Sequence, residues 1–517
     1  MNSDNFSPRN TSRTSELFSR TATPYQMVTS SVGSYNARWF ALVQRFSSVR
    51  QWLGAAIFVS MSVPGVALEI SDDAVWGVDG SPYEFSSDVV VRAGATLTME
   101  PGVVVRFGTE GGRLEGEEPG AFLRIEGTLV VTGSARQPVR FEGRTGELDE
   151  WGGIVFESSS QDAEFDAGGR YLAGSVIYNA QIRHAGASGV FADSASPYLC
   201  RVLFENNASL YDKGEEIVVD EAQGALERIM GGAVYLYRPD APARIKGCVF
   251  KDNHSLHVGG ALAIAESGDV EVVVEGCVFE RNLASARGGG AIRLLGAAAQ
   301  INGCEFHGNE AERGGAIHAS YGSRMVLRNG TLSENSSLTA GGAVFIAHRC
   351  DAQVVRTVFE GNSVEPMGLL GGGAIHVHAN GSVLITKSRF LDNEAPYGGA
   401  ILFTNRTDDG DAPGIFCNQF MGNRADESGH GCAIEAIDWQ ALDVRGNIFG
   451  NDEADGPEAA LSLGTFSRPS SGEVDVRENL WMDGTSATRV IAISGSAGRP
   501  KFRVGQDLKE AARCSLP

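Results

Sequence analysis

Two short motifs recur in lockstep along the middle of this chain, and no other feature limits its fold as severely. The first is an aromatic or apolar residue followed three positions later by Asn. It occurs at Phe204/Asn207, Phe250/Asn253, Phe279/Asn282, Phe306/Asn309, Leu332/Asn335, Phe359/Asn362, Phe390/Asn393 and Phe420/Asn423. The second is Gly-Gly-Ala and an aliphatic residue, a short gap after each Asn. Its alanines are Ala233, Ala261, Ala291, Ala316, Ala343, Ala374 and Ala400, with a variant at Ala433. Successive alanines lie 25 to 33 residues apart. A period of that length marks stacked repeats rather than a globular core.

The residues after Gly-Gly-Ala read VYLY, LAIA, IRLL, IHAS, VFIA, IHVH, ILFT and IEAI. Their first and third positions are mainly aliphatic and the second varies, so each is a short strand with one buried face. Four residues cannot bury themselves. Stacking equivalent coils about 4.8 Å apart lets each strand pair with the coils above and below. The repeated Phe then lies on Phe in the core. The Asn falls at a corner, where Asn tolerates left-handed backbone and bonds its neighbours. The double glycine fits the next corner, where positive φ or close backbone approach excludes a Cβ. The 3.6-residue period of helices is missing, and the period is too short for a propeller blade. The reading is all-β: a single right-handed parallel β-helix with N- and C-terminal caps, its hand set by the general rule for parallel crossovers.

The front half carries the same architecture less regularly. Residues 89–107, 121–141, 151–156 and 175–191 read as short strands between Gly, Pro and Asn turns. Earlier still, residues 53–67 form an apolar run, LGAAIFVSMSVPGVA, behind Arg45 and Arg50 and ending in small residues before a cut after Ala67. That is a secretory signal pattern, too short to span a bilayer. The expected organisation is a leader and signal over 1–67, a cap with irregular first coils over 68–200, regular coils over 201–455 and a C-terminal cap over 456–517. No later stretch is long and apolar enough for a transmembrane span, so the mature chain is expected in the periplasm or outside the cell.

Composition agrees. Gly supplies 66 of 517 residues, as many tight corners require. The net charge of −21 repels phosphate backbones and argues against nucleic-acid partners.

The Gly-Gly-Ala-Ile and Phe-x-x-Asn pairing resembles the polymorphic outer-membrane protein repeat family, over residues 200 to 450. The resemblance implies the exported β-helical passenger of an adhesin. In that family a C-terminal barrel delivers the passenger, and the end of this sequence, KEAARCSLP, lacks the alternating strands of a barrel.

Chemistry has few places to sit. The second position after Gly-Gly-Ala is expected to face outward. It carries Tyr235, Ala263, Arg293, His318, Phe345, His376, Leu402 and Glu435, with His378 beyond His376. Arg293, His318 and His376 would supply a carboxylate-binding guanidinium and imidazole bases to one groove, as a polysaccharide lyase, hydrolase or epimerase requires. The opposing reading is unconstrained solvent positions, since Ala263, Phe345 and Leu402 interrupt the set. Gly429-His430-Gly431 matches a polygalacturonase triplet, but the aspartates upstream, Asp408, Asp409 and Asp411, read as a loop, and the one Arg-Ile-Lys, Arg244 to Lys246, lies far upstream instead of following it. It reads better as a substituted corner. Asp408, Asp409 and Asp411 offer hard oxygen ligands, for which calcium is the fitting cation, or else they are solvated. The insertion between Asn207 and Gly231 is long and acidic, with Glu215, Glu216, Asp220 and Glu221. It is a candidate binding loop or plain decoration.

Cys248, Cys277 and Cys304 each stand two residues before a repeat Phe. They are expected to form a buried thiol stack rather than strained disulfides. Cys350, Cys417, Cys432 and Cys514 are left as pairing candidates. Two functions follow. One is a non-catalytic exported scaffold whose flank binds a polysaccharide or cell-surface protein. The other is a polysaccharide-active enzyme.

Overall fold

The computed structural model describes residues 67–108, 120–148, 150–209, 231–286, 288–366, 370–378, 382–404, 413–425, 433–437, 442–450, 461–464, 473–481, 491–494 and 501–503. The leader, the acidic insertion, Gly429-His430-Gly431 and the calcium candidates Asp408, Asp409 and Asp411 lie outside those residues, as do Cys432 and Cys514. From Leu68 onward the described residues form a right-handed parallel β-helix.

Three parallel sheets run along the solenoid with 15, 15 and 14 strands. We call them the first, second and third sheets in the order a coil visits them. The first coil uses Leu68–Ile70, Ala74–Trp76 and Tyr83–Phe85, one strand in each. A fourth ladder of eight short strands, from Ala208–Ser209 to Arg424–Ala425, follows the third sheet in the regular coils. The sheets do not stop where a C-terminal cap was expected. Leu461–Gly464 and Ile491–Ser494 extend the first sheet and Lys501–Arg503 ends the second. Those segments lack the Gly-Gly-Ala signature but keep apolar alternation, which is all that stacking needs.

The predicted Phe column lies in the third sheet. Phe204, Phe250, Phe279, Phe306, Leu332, Phe359, Phe390 and Phe420 pair in strict register. Phe250 and Phe279 stack nearly parallel at 4.7 Å between centroids, and Phe279 and Phe306 at 4.8 Å. Each ring is fully buried. Such burial contributes about 2–3 kcal/mol per ring, and stacking adds about 1 kcal/mol.

The Asn column is a continuous hydrogen-bond ladder. Asn282 Nδ2 donates to Phe250 O at 3.0 Å and to Asn309 Oδ1 at 2.9 Å, and the Asn282 N–H donates to that same oxygen at 3.0 Å. The pattern repeats from Asn207 to Asn423. One expectation is corrected here. The left-handed residue is the one before each Asn: Asn206, Asp252, Arg281 and Glu334 have φ of 54°, 53°, 51° and 54°. That residue turns the chain, which frees the Asn side chain to point inward along the stack.

The corner between the second and third sheets uses the same device with other residues. Asn179, Arg201, Gly247, Gly276 and Gly303 take positive φ. The next residue points inward, and here the thiol stack appears as expected. Cys248, Cys277 and Cys304 are buried and free, and Cys277 N–H donates to Cys304 Sγ at 3.4 Å. Farther along, Asn418 and Asn447 occupy the same position and bond like the main ladder. Cys350 is also buried and not disulfide-bonded, which removes it from the pairing candidates. Cys417 is disulfide-bonded, to a partner outside the described residues.

The two corner glycines divide the work that the sequence assigned jointly. In most pairs the first adds positive φ, as at Gly314 with 61°, to a close approach of its own, 2.2 Å from a Cβ to Ile317 O. The second is constrained by close approach alone: a Cβ on Gly315 would lie 2.2 Å from Gly342 O in the next coil.

Candidate functional site

The outward column of the first sheet holds every catalytic candidate of the described residues. Register places Tyr235, Ala263, Arg293, His318, Phe345, His376, Leu402 and Glu435 in one unbroken line. It is not the solvent face expected. Arg293 is 5% exposed, His318 4% and His376 0%. The physical reason is a second apolar layer outside the strands. Tyr235, Val258, Ala263, Ala265 and Leu295 pack together, as do Ala340, Phe345 and Ala347 with Leu370. The Gly-Gly-Ala strands are therefore buried on both faces.

Arg293 and His318 are neighbours on adjacent coils, but Phe345 separates His318 from His376. The His318 ring meets Phe345 edge-on at 4.8 Å and His376 meets its other side at 5.2 Å. The Arg293 guanidinium donates to Leu294 O and His318 O, both at 3.2 Å, and to Ser320 Oγ at 2.7 Å. Those bonds hold it against the sheet.

His376 and His378 share one hydroxyl. His376 Nε2 lies 2.7 Å and His378 Nδ1 2.9 Å from Thr404 Oγ1. A hydroxyl has one proton to give. His376 Nδ1 is buried with no hydrogen-bond partner. A proton there would be an unsatisfied buried donor, which costs about 1–3 kcal/mol. The proton therefore sits on Nε2, which donates to Thr404, and Thr404 donates to His378 Nδ1. Burial holds His376 well below the ordinary imidazole range, and His378 and Arg313 lower it further. The result is a neutral base enclosed in a packed layer, not one presented to a polymer.

Two polar features escaped sequence reading. The first is a charge column on the outer face of the third sheet. Over the first eight coils it reads Glu84, Arg106, Glu142, Arg183, Glu205, Lys251, Glu280, His307. Acid and base alternate without exception. Arg106 lies 3.6 Å from Glu84 and 3.0 Å from Glu142; Arg183 and Lys251 lie 2.9 and 3.7 Å from Glu205. The residue after each repeat Phe carried that signal. The second is a carboxyl pair, Asp162 and Asp240, beside a hairpin of Glu164–Phe165 and Tyr171–Ala173. Asp162 accepts from Ser196 N–H at 2.7 Å. Burial, with help from the Asp240 carboxyl, pushes Asp162 up to about 6. Sequence reading had no route to it, since the two residues come from different coils.

Among the described residues no cluster of three or more His, Cys, Asp or Glu side chains is arranged to hold a metal ion. None of their helices is long and apolar enough to cross a membrane.

The fold and its columns define a β-helical repeat protein. Residues 232–480 match the family described as right handed beta helix region. Comparison with curated proteins and with solved structures returns no match.

Proposed function

We propose that this chain is an exported, non-catalytic β-helix that binds a polysaccharide or cell-surface protein along its flank. One observation carries the reading. The side chains with the best chemistry, Arg293, His318 and His376, are enclosed in a packed layer, while the outer columns of the second and third sheets stay accessible and polar. An accessible, rigid, periodic flank suits extended partners. The apolar run at 53–67 supports export, and the paired Gly-Gly-Ala and Phe-x-x-Asn motifs support kinship with the polymorphic outer-membrane protein repeats. Asp408, Asp409 and Asp411 remain the proposed calcium ligands.

The test is the purified chain on a panel of uronate and neutral polysaccharides, with and without calcium, scored for binding and for product. Binding without turnover is expected. Product from the wild-type chain would refute this reading, and its loss in the His318→Ala/His376→Ala double variant would restore the enzymatic one with these residues. That alternative draws its support from the His376–Thr404–His378 chain, which is ordered as a proton path would be.

A further inference from the structure

The corner between the second and third sheets is tight in most coils, turning on one left-handed residue such as Asn179 or Arg201. The first three coils differ, with longer connections. In the third the connection from Thr128–Thr132 to Val139–Gly143 takes six residues, Gly133 to Pro138, and stands out as a wall. Against it lies an open depression of about 200 Å³ running across four coils. Its apolar surface comes from Pro138, Leu203 and Val249, and its polar groups from Gln181 and Arg201. Gly247 leaves the far end without a side chain.

The charge around this depression runs against the rest of the chain. Arg136 belongs to the wall, Arg140 pairs in register with Gln181, and Arg201 lines the depression itself. None of the three takes part in an ion pair among the described residues. Arg201 lies over the Tyr178 ring and donates to its hydroxyl at 3.0 Å, which fixes the guanidinium at the rim. The outward column through Arg140 continues as Gln181, Leu203, Val249 and Val278, with no carboxylate until Glu305. Three unneutralised guanidiniums around one concavity are unusual company in a chain of net charge −21. On the same flank Arg106, Arg183, Lys251 and Arg281 pair with neighbouring acids, and Arg356, Lys387 and Arg389, which do not among the described residues, lie several coils away from this concavity.

We propose that this corner is a binding subsite for an anionic saccharide, deepening the reading of the chain as a binding scaffold, on which it rests. The carboxylates or sulfates of the sugar pair with Arg201 and Arg140. The C–H faces of its rings lie on Pro138, Leu203 and Val249, and Gln181 bonds its hydroxyls. The groove follows the solenoid axis at about 4.8 Å per coil, so a linear chain of sugars lies along it. The acidic field of the whole molecule disfavours a long polyphosphate. Nucleic acid is therefore the lesser candidate and serves as a control.

The experiment is titration of the full chain with an oligogalacturonate and with its fully methyl-esterified form, which keeps the sugar and removes the charge. Arg201→Asn and Gly247→Asn keep the left-handed corner, because Asn179 already occupies it one coil before Arg201 with φ 49°. Arg140→Ala tests the second guanidinium, and Arg324→Ala, remote and paired with Asp269, is the control. The expected result is binding of the acidic form, weakened about tenfold by Arg201→Asn or Arg140→Ala, lost in Gly247→Asn and unchanged in Arg324→Ala. Circular dichroism should be the same for all. Equal binding of both saccharide forms, no binding of either, equal binding of single-stranded DNA, or indifference to all three corner variants would overturn the proposal. None of those outcomes touches the broader scaffold reading, which fails only if the wild-type chain forms product.

Discussion

Replacing Asn309 by Ala should be among the most costly single truncations in the regular coils. The Asn309 side chain is fully buried and makes four hydrogen bonds. Its Oδ1 accepts from Asn282 N–H at 3.0 Å and from Asn282 Nδ2 at 2.9 Å. Its Nδ2 donates to Phe279 O at 3.0 Å and to Asn335 Oδ1 at 2.9 Å. Three acceptors and donors lose only one of several partners, but the Asn282 N–H has no other acceptor. A net value of about 0.5–1 kcal/mol per bond, with about 1–3 kcal/mol for the orphaned amide, gives about 3–5 kcal/mol. Solenoid stability is a sum over coils and interfaces, so the loss should be local. Urea unfolding should show it, and amide exchange should locate it at Asn282 while distant coils stay protected. Asn302→Ala is the control. Asn302 is exposed, and its side-chain bond is a single one from Asn329; the cost should stay within about 0.5 kcal/mol. If Asn309→Ala costs no more than Asn302→Ala, or Asn282 keeps its protection, the ladder is ornamental and the reasoning is wrong.

Other consequences can be measured in the same way. Gly315→Ala should cost about 3 kcal/mol or more, because its Cβ would sit 2.2 Å from Gly342 O and 2.3 Å from Ser336 O, both backbone atoms. Gly276→Ala, at φ 59° with open space around it, should cost about 1 kcal/mol; equal losses at the two sites would refute the claim that backbone contact costs more here than left-handed φ. Cys248, Cys277 and Cys304 should resist a thiol reagent at pH 8 until denaturant is added, and rapid native labelling would contradict the buried stack. Folding lowers the His376 pKa, so the unfolded chain takes up that proton first. The contribution is whole above about pH 6.5 and drains away as pH falls below it; His376→Phe should flatten that part of the stability profile. Asp162 acts in the opposite sense. Its pKa is raised, so its contribution is whole below the ordinary carboxylate range and is lost as pH rises through about 6. Asp240→Asn should shift that transition, and an unchanged profile would dissolve the pair.

The coil was legible because its main column repeats one residue type for one job. Phe250, Phe279 and Phe306 need the same volume at the same depth, so the motif survives. The corner before that column does the same job with Cys304, Ser388 and Asn418, each of which offers an acceptor to the coil before it, and it left no single motif to find. The burial of Arg293, His318 and His376 was hidden for a related reason. Their column mixes Tyr, Ala, Phe and Leu with polar residues, and a mixed column looks like a free surface when only its variability is counted. Its apolar majority was the available signal. Which corner residue goes left-handed was also out of reach, since Asn206, Asp252, Arg281 and Glu334 share no side-chain chemistry.

The alternating charges on the third sheet give the coils a parity. Odd-numbered coils carry an acid and even-numbered ones a base from Glu84 to His307. A chain that skipped one coil while folding would lay Glu84 on Glu142, or Arg106 on Arg183, and the same mismatch would appear wherever the skip occurred. The hydrophobic columns cannot detect that mistake, because any Phe stacks acceptably on any other. This flank therefore acts as a proofreading strip, distinguishing the next coil from the one after it.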